Sequence, residues 1–186
     1  PQGKLLEFNM QEVTIPGRST DTVRFTPFIY GTNANKWEPG AKNPPLYKVM
    51  LFTRRDGAYR EYMPLKIGFG KTELVDGRLT RFDKELKLVK AGYNAAADRK
   101  TTLAELKALK AKGNNTICPD YPQPGWFYDL CDELGLYVID CANINAPEKR
   151  DDRKVGGTPS NDPSLADEYL ERVKAMYYRS RNFTCV

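Results

Sequence analysis

The most informative stretch of the chain spans residues 125–142, where a helical hydrophobic pattern is followed by a short apolar run. Apolar side chains recur there at steps of three and four residues, the spacing of one helix face; they are Trp126, Phe127, Leu130, Cys131 and Leu134. Pro124 can occupy the first helical turn, and Gly135 can provide a left-handed C-terminal cap. Residues 136–139 form an apolar run typical of a parallel strand covered on both faces. The pattern predicts a helix, a stop and a buried strand that ends at Asp140.

The alternation of helix and strand patterns extends over the C-terminal half, which favours βαβ units and a parallel sheet. Thr102–Glu105 matches a capping box, so we expect a helix to begin at Thr102 and to end at Gly113. Residues 115–118 read as the next strand. Asp162 and Pro163 are typical of a helix start, and this third helix is expected to reach residue 181. Residues 183–186 have the pattern of a further strand.

Short β-type patterns separated by turn signals dominate the N-terminal half and suggest an antiparallel sandwich. The segments concerned are 12–15, 22–26, 46–52 and 59–65. The pattern changes around Asp76-Gly77, after which a hairpin turning at Phe82-Asp83 leads into the α/β half. We therefore expect two domains, 1–76 and 77–186.

Charge and hydropathy exclude several classes of function. The 29 basic and 24 acidic residues are interspersed, giving a net charge of +5, so we expect a solvated surface and no nucleic-acid partner. No apolar run approaches the ~20 residues of a membrane helix, which indicates a soluble protein without a membrane partner. The chain has no histidine, which excludes a Ser-His-Asp triad, a Cys-His dyad and His-ligated zinc. The four cysteines form no C-x-x-C pair and are expected to be buried free thiols.

Trp126–Asn143 resembles the barrel segment of glycoside hydrolase family 2, whose pattern is approximately p-x-F-Y-D-L-C-D-x-x-G-L-Y-V-I-D-E-A-N. Residues 37–47 resemble the W-x-P…P-x-L-Y signature of the family's immunoglobulin-like domain. Residues 67–70 resemble its G-F-R strand, but Gly70 stands at the arginine position, which implies that the contacts of this arginine are absent. The resemblance implies a multidomain β plus α/β protein, with an immunoglobulin-like β-sandwich followed by the first part of a (β/α)8 TIM barrel.

The resemblance also implies the chemistry of a retaining glycosidase. Such enzymes use two glutamates, one at the end of the fourth barrel strand and one at the seventh, with carboxyl groups ~5–5.5 Å apart. By this alignment both glutamates lie beyond Val186. We therefore expect a fragment of a longer enzyme, without a catalytic residue of its own and inactive alone.

The ends of the first three barrel strands are expected to form part of a sugar-binding rim. Carboxylates and amides suit sugar hydroxyls because each hydroxyl both donates and accepts a hydrogen bond. The resemblance and this chemistry together give six candidate substrate-binding residues: Asn94, Asp98, Asp120, Tyr121, Asp140 and Asn143. Structural alternatives remain open: Asp98 could pair with a neighbouring basic residue, Asp120 could cap the turn that follows it, and Asp140 could bond to backbone groups.

Other positions of the family's rim are changed in this chain. Ala95 and Ala96 replace an arginine and a histidine of the first-strand motif. Asn145 and Pro147 replace a glutamate and a histidine that ligate magnesium in some members, so we expect no metal and no cofactor.

Three hypotheses follow. The first is a piece of a family 2-like glycosidase with a carbohydrate substrate, the second a non-catalytic carbohydrate-binding or scaffold relative, and the third an interaction module without sugar chemistry. A bacterial periplasmic or secreted location of the parent is compatible with the resemblance. An open barrel edge at Thr184–Val186 would favour self-association or completion by another polypeptide.

Overall fold

The computed structural model describes residues 4–30, 35–145 and 161–186. The chain forms two compact units, Pro1–Asn35 and Lys36–Val186. In the described part of the chain, regular secondary structure lies in the second unit.

Residues 4–30 contain no strand, so the strands expected at 12–15 and 22–26 are not formed. A turn follows the first of these segments, where the Ser19 N–H donates to the Pro16 carbonyl at 3.3 Å. The β-type pattern failed here because a strand needs a hydrogen-bonded neighbour, and no strand pairing involves this segment.

Strands β1 (Tyr47–Arg55) and β2 (Ala58–Ile67) form the first antiparallel pair and confirm the two strands expected there. Asp56 and Gly57 make the turn with φ of 52° and 78°. One face of the pair is apolar, because Val49 lies opposite Leu65 and Leu51 lies opposite Met63. This face is only partly covered, with Leu51 and Met63 exposed.

A second antiparallel sheet contains β3 (Thr72–Val75), β4 (Arg78–Arg81) and β5 (Lys84–Glu85), in that order. The turn between β3 and β4 is Asp76-Gly77, and the domain boundary expected between residues 76 and 77 falls inside it. The described residues of 1–76 thus form one strand pair and the first strand of this sheet, whereas two facing sheets of a sandwich were expected.

The third sheet is parallel and contains β6 (Lys90–Tyr93), β7 (Thr116–Pro119) and β8 (Tyr137–Val138), in chain order. Helix α1 (Arg99–Ala111) joins the first two strands, and α2 (Gly125–Leu134) joins the last two. This arrangement confirms the expected βαβ units and is the beginning of an α/β architecture.

Helix α1 begins three residues before the predicted Thr102. Its N-cap is Asp98, whose carboxylate accepts the N–H groups of Lys100 and Thr101 at 2.9 and 3.0 Å. Thr102 is buried inside the helix. The capping-box prediction was wrong because an aspartate upstream satisfies the free amides of the first turn better than a buried threonine can.

Helix α2 ends as predicted, with Gly135 in the left-handed region at φ 67°, ψ 44°. Asp162 accepts the Ser164 N–H at 3.0 Å and begins a 3-10 turn, Pro163–Leu165, that leads into α3 (Ala166–Ser180). Both helix boundaries therefore agree with the capping signals in the sequence.

The core lies between the parallel sheet and the helices. Its fully buried large side chains are Trp37, Leu106, Ile117, Phe127, Tyr128, Leu130 and Leu136. Trp37 is inserted from the segment before β1, and its indole N–H donates to the Asp132 carbonyl at 2.8 Å. In the described ranges, no helix is both long and apolar enough to cross a membrane.

Residues 183–186 form turns rather than the expected strand, although the Val138 N–H donates to the Cys185 carbonyl at 2.8 Å. The amides of Thr184 and Cys185 are held by the Asp132 carboxylate at 3.2 and 2.7 Å. The Val186 N–H reaches the Phe183 carbonyl at 3.4 Å. The backbone N–H groups of Thr184, Cys185 and Val186, which were expected to be unpaired, thus have partners within the described chain. Pairing of this edge with another polypeptide stays a prediction.

Candidate functional site

The carboxyl ends of the three parallel strands meet at one edge of the sheet. Tyr93 pairs with Pro119 at the ends of β6 and β7, so Asn94 and Asp120 follow directly at neighbouring positions. The Asp120 N–H donates to the Tyr93 carbonyl at 2.9 Å and extends this pairing by one bond. Such an edge is where α/β proteins place binding residues.

Gln123 ties the loops after β6 and β7 together, and sequence reasoning missed it. Its side-chain carbonyl accepts the Ala96 N–H at 2.8 Å, while its amide donates to the carbonyls of Asn94 and Tyr121 at 3.2 and 2.7 Å. The residue is 5% exposed. A glutamine between two prolines, Pro122 and Pro124, was the available signal, because prolines leave neighbouring carbonyls without local amide partners. The backbones of Asn94 and Tyr121 are thus fixed by a buried amide.

Asp120 is the exposed carboxylate of this edge. No described residue forms an ion pair or hydrogen bond with its side chain. The pKa of the Cys141 thiol is raised by burial and by the charges of Asp140 and Asp120, so the Asp120 carboxylate acts on the end of β8 as well. As far as the described residues go, its oxygens can accept hydrogen bonds from a ligand.

Asp140 follows β8 but is engaged with the helices. Its carboxylate accepts the Tyr128 hydroxyl at 2.7 Å, the Ser180 hydroxyl at 2.5 Å and an Arg179 N–H at 2.9 Å. The Asp140 side chain is 3% exposed. Burial and this hydrogen bond raise the pKa of Tyr128 above its ordinary value. Asp140 is therefore a junction between β8, α2 and α3, through side chains rather than the backbone groups considered from the sequence.

The four remaining candidates differ in their exposure and in the hydrogen bonds that they form. Asp98 caps α1, and the Thr101 hydroxyl, followed by backbone amides, lowers the pKa of its carboxyl group. Asn143 is exposed, and its carbonyl accepts an Arg172 N–H at 2.6 Å. Asn94 is exposed and Tyr121 half-buried beside it.

The structure thus brings Asn94, Asp120 and Tyr121 together at the ends of β6 and β7. Asp98 and Asp140 carry structural hydrogen bonds instead. Across residues 4–30, 35–145 and 161–186, no group of three or more histidine, cysteine, aspartate or glutamate side chains could hold a metal ion. The four cysteines are free; Cys131 and Cys185 are buried and Cys118 and Cys141 half-buried.

Comparison with known proteins matches this chain to glycosyl hydrolases. The β-galactosidase of Lactobacillus delbrueckii subsp. bulgaricus is 31% identical over 163 residues, covering 78% of this chain and 16% of that protein. The β-galactosidase of Pseudoalteromonas haloplanktis is 29% identical over 194 residues, covering 98% of this chain and 18% of that protein. The chain therefore spans less than a fifth of the length of these relatives.

Solved structures agree on the fold. A β-glucuronidase from Ruminococcus gnavus in complex with D-glucuronic acid superposes with a TM-score of 0.67 at 18% identity, covering 83% of this chain and 26% of that one. The family model described as "Glycosyl hydrolases family 2, TIM barrel domain" matches residues 92–186, which begin within β6 and include the strand-end residues described above. The chain belongs to glycosyl hydrolase family 2 and carries part of its TIM barrel domain.

Proposed function

We propose that this chain is a fragment of a glycosidase that hydrolyses O-glycosidic bonds with retention, and that it supplies one side of the sugar-binding rim. The observation that supports this most directly is the strand edge where Asn94 and Asp120 lie side by side, with an exposed carboxylate lacking any partner among the described residues. Family membership supports the reaction class, since two of its relatives are β-galactosidases.

In this proposal Asp120 accepts hydrogen bonds from substrate hydroxyls, and Asn94 and Tyr121 flank it. Gln123 holds the backbone on both sides, so that these groups need not be ordered when the sugar binds. Asn143 contributes from the loop after β8. Asp98 and Asp140 act indirectly, through the start of α1 and the junction of the helices.

The fragment has no catalytic residue of its own in this proposal. A retaining glycosidase needs two carboxyl groups ~5–5.5 Å apart across the scissile bond. Of the two strand-end carboxylates, Asp140 accepts three hydrogen bonds from side chains of the fold. Asp120 therefore has no second carboxylate beside it in the described chain that could act with it in catalysis.

The test is hydrolysis of aryl β-galactosides by the longer protein that contains this sequence. Asp120→Ala should lower kcat/KM at least about tenfold, which corresponds to the loss of ~1.4 kcal/mol of binding in the transition state. Asp167→Ala on the exposed first turn of α3 is the control and should leave kcat/KM unchanged. The isolated 186-residue protein should show no turnover.

Two results would contradict the proposal. Unchanged kcat/KM in Asp120→Ala would remove that residue from the rim. Turnover by the isolated chain that survives repurification and depends on Asp120 or Asp140 would mean that the fragment carries its own catalytic group.

The proposed domain organisation is an immunoglobulin-like sandwich at 1–76 followed by the barrel portion at 77–186. The apolar face of β1 and β2 supports this organisation. Its Leu51 and Met63 side chains are partly exposed, and a second sheet could pack on them. In the longer protein, Leu51→Lys should lower the Tm, whereas Met50→Lys on the opposite face should not.

The second candidate function is carbohydrate binding without catalysis. It is favoured by Ala95 and Ala96, which replace an arginine and a histidine of the family's first-strand motif. Glycan binding by a longer protein that shows no hydrolysis, and loss of that binding in Asp120→Ala, would favour this function over the enzyme.

A further inference from the structure

Arg81, at the end of β4, is a buried cation without an acidic partner in the part of the chain that is described. The residue is 8% exposed. One guanidinium nitrogen donates to the Thr72 hydroxyl at 2.8 Å, and the other donates to the Trp37 carbonyl. Its Nε has no hydrogen-bond partner among the described residues. A buried charge is costly unless other groups stabilise it.

Three aromatic rings surround this guanidinium. Its central carbon lies 5.2 Å from the ring centroids of Trp37 and Phe82 and 5.5 Å from that of Tyr137. A planar guanidinium is weakly hydrated and is attracted to aromatic faces, where it tolerates burial better than an ammonium group does. The rings and the Trp37 carbonyl therefore take the place of an acidic partner.

Gly70 leaves the space that this guanidinium occupies. Its φ does not lie in the left-handed region, so the backbone alone does not require glycine there. A β-carbon at position 70 would instead collide with the two terminal nitrogens and the central carbon of Arg81. The sequence implied that the contacts of an arginine at position 70 are missing. In the structure the guanidinium of Arg81, from β4, lies against Gly70.

We propose that Arg81 is a positioning residue. Its guanidinium lies against Gly70 and fixes the antiparallel sheet β3–β4–β5 against the start of the barrel, the parallel sheet β6–β7–β8. It fixes the Trp37 backbone, while the Trp37 indole reaches the Asp132 carbonyl of α2. It also packs on Tyr137, the first residue of β8, whose hydroxyl lies 3.3 Å from that of Thr72. Gly70 and Arg81 are then one coupled unit.

A double-mutant cycle on the 186-residue chain tests this coupling. Gly70→Ala should lower the Tm by about 5 °C, because the added carbon displaces a pinned guanidinium. Gly92→Ala is the matched control, since a β-carbon there meets nothing within 4 Å and φ is not positive. In an Arg81→Met background, Gly70→Ala should have no effect on the Tm.

Substitution of Arg81 itself gives a second readout. Arg81→Lys should not preserve the Tm, because one ammonium cannot bridge the Thr72 hydroxyl and the Trp37 carbonyl while stacking on the rings. Fluorescence in a Trp126→Phe background should show quencher access to Trp37 rising in Arg81→Met.

The proposal is overturned if Gly70→Ala is as harmless as Gly92→Ala, or if it lowers the Tm equally in both backgrounds. It is also overturned if Arg81→Met leaves quencher access to Trp37 unchanged. Should Arg81→Met fail to fold, the comparison of Gly70→Ala with Gly92→Ala still decides.

Discussion

Gly135 combines two requirements in one residue. Its φ of 67° is strained for any residue with a β-carbon. A β-carbon there would also lie 3.2 Å from the Glu38 carbonyl oxygen and 3.3 Å from the Pro44 side chain. The end of α2 thus needs glycine both for its backbone conformation and for the close approach of the segment before β1.

We predict that Gly135→Ala lowers the free energy of unfolding by about 2 kcal/mol, of which ~1 kcal/mol is backbone strain. Gly113→Ala separates the two contributions, because Gly113 also has positive φ but open space around it. It should cost about 1 kcal/mol. Urea titrations of both variants measure the difference, and equal losses would rule out a packing contribution at Gly135.

Asp132 is a buried carboxylate that should make stability depend on pH. Burial raises its pKa to about 6, although the amides of Thr184 and Cys185 act in the opposite direction. A carboxyl group with a raised folded-state pKa favours the fold when protonated. Its ionisation therefore costs stability as pH rises from the unfolded value near 4 through about 6.

We predict that the wild-type chain loses about 2 kcal/mol relative to Asp132→Asn between pH 4 and pH 7. Chemical denaturation of both proteins across this range measures the difference, and the neutral amide removes the titration of this one site. A constant or rising difference with increasing pH would mean that the hydrogen bonds to the carboxylate outweigh its burial.

The sequence identified the strand-end polar residues but not their directions. Asp120 and Asp140 follow similar apolar runs. Asp120 is exposed, whereas the Asp140 carboxylate is hydrogen-bonded to Tyr128 and Arg179. The difference depends on α3, whose Ser180 lies 40 residues from Asp140 in the chain and donates to its carboxylate. Such partners come from tertiary packing and leave no local pattern.

At the scale of elements, the Asp140 carboxylate is the point where β8, α2 and α3 meet. Arg179 and Ser180 come from the last turn of α3, and Tyr128 comes from α2. Loss of this carboxylate would leave the buried Tyr128 hydroxyl without its acceptor and the arginine without its charge partner. Both losses should loosen α3 from the sheet.

We predict that Asp140→Ala lowers the free energy of unfolding by about 2 kcal/mol. This figure counts the ion pair with Arg179 at a reduced value, because the Arg179 side chain is partly exposed. Arg179→Met should cost less in that background than in the wild type, because its charge partner is already gone and only its contacts with Tyr128 remain. Lys174→Met on the same helix is the control: its ion pair with Glu171 is exposed, and its loss should cost less than ~0.5 kcal/mol. Additive effects of Asp140→Ala and Arg179→Met would refute the junction.

Capping signals located helices better than β patterns located strands. The ends of α2 and the start of α3 were predictable because Gly135 and Asp162 act within a few residues. The strands expected at 12–15 and 22–26 did not form, because alternation describes a face without supplying the neighbour that pairs with it. The start of α1 was misplaced because Asp98 was assigned to the rim rather than to the cap.

At the scale of the whole molecule, apolar surface is the main feature left uncovered. On one face of β1 and β2, large hydrophobic side chains are 40–49% exposed; they are Leu51, Met63 and Leu65. The backbone at residues 184–186, in contrast, is hydrogen-bonded within the chain. Association through a strand edge at that point is therefore less favoured than association through a side-chain face.

We predict that the 186-residue chain self-associates through the β1–β2 face. Light scattering over a concentration series should show a mass that rises above that of a monomer. Leu51→Lys should abolish the rise, and Met50→Lys, on the other face of the same strand, should leave it. A monomeric wild type at all concentrations would refute the prediction.

The order of strands in the parallel sheet is the order in which they are synthesised. Each βα unit can therefore dock on the one before it as soon as it leaves the ribosome, with short loops to close. Trp37 is different, because its indole bonds to a carbonyl 95 residues further along. It has to wait until α2 exists. Burial of Trp37 would then follow the formation of α2, and in a Trp126→Phe background its fluorescence would report this step during translation.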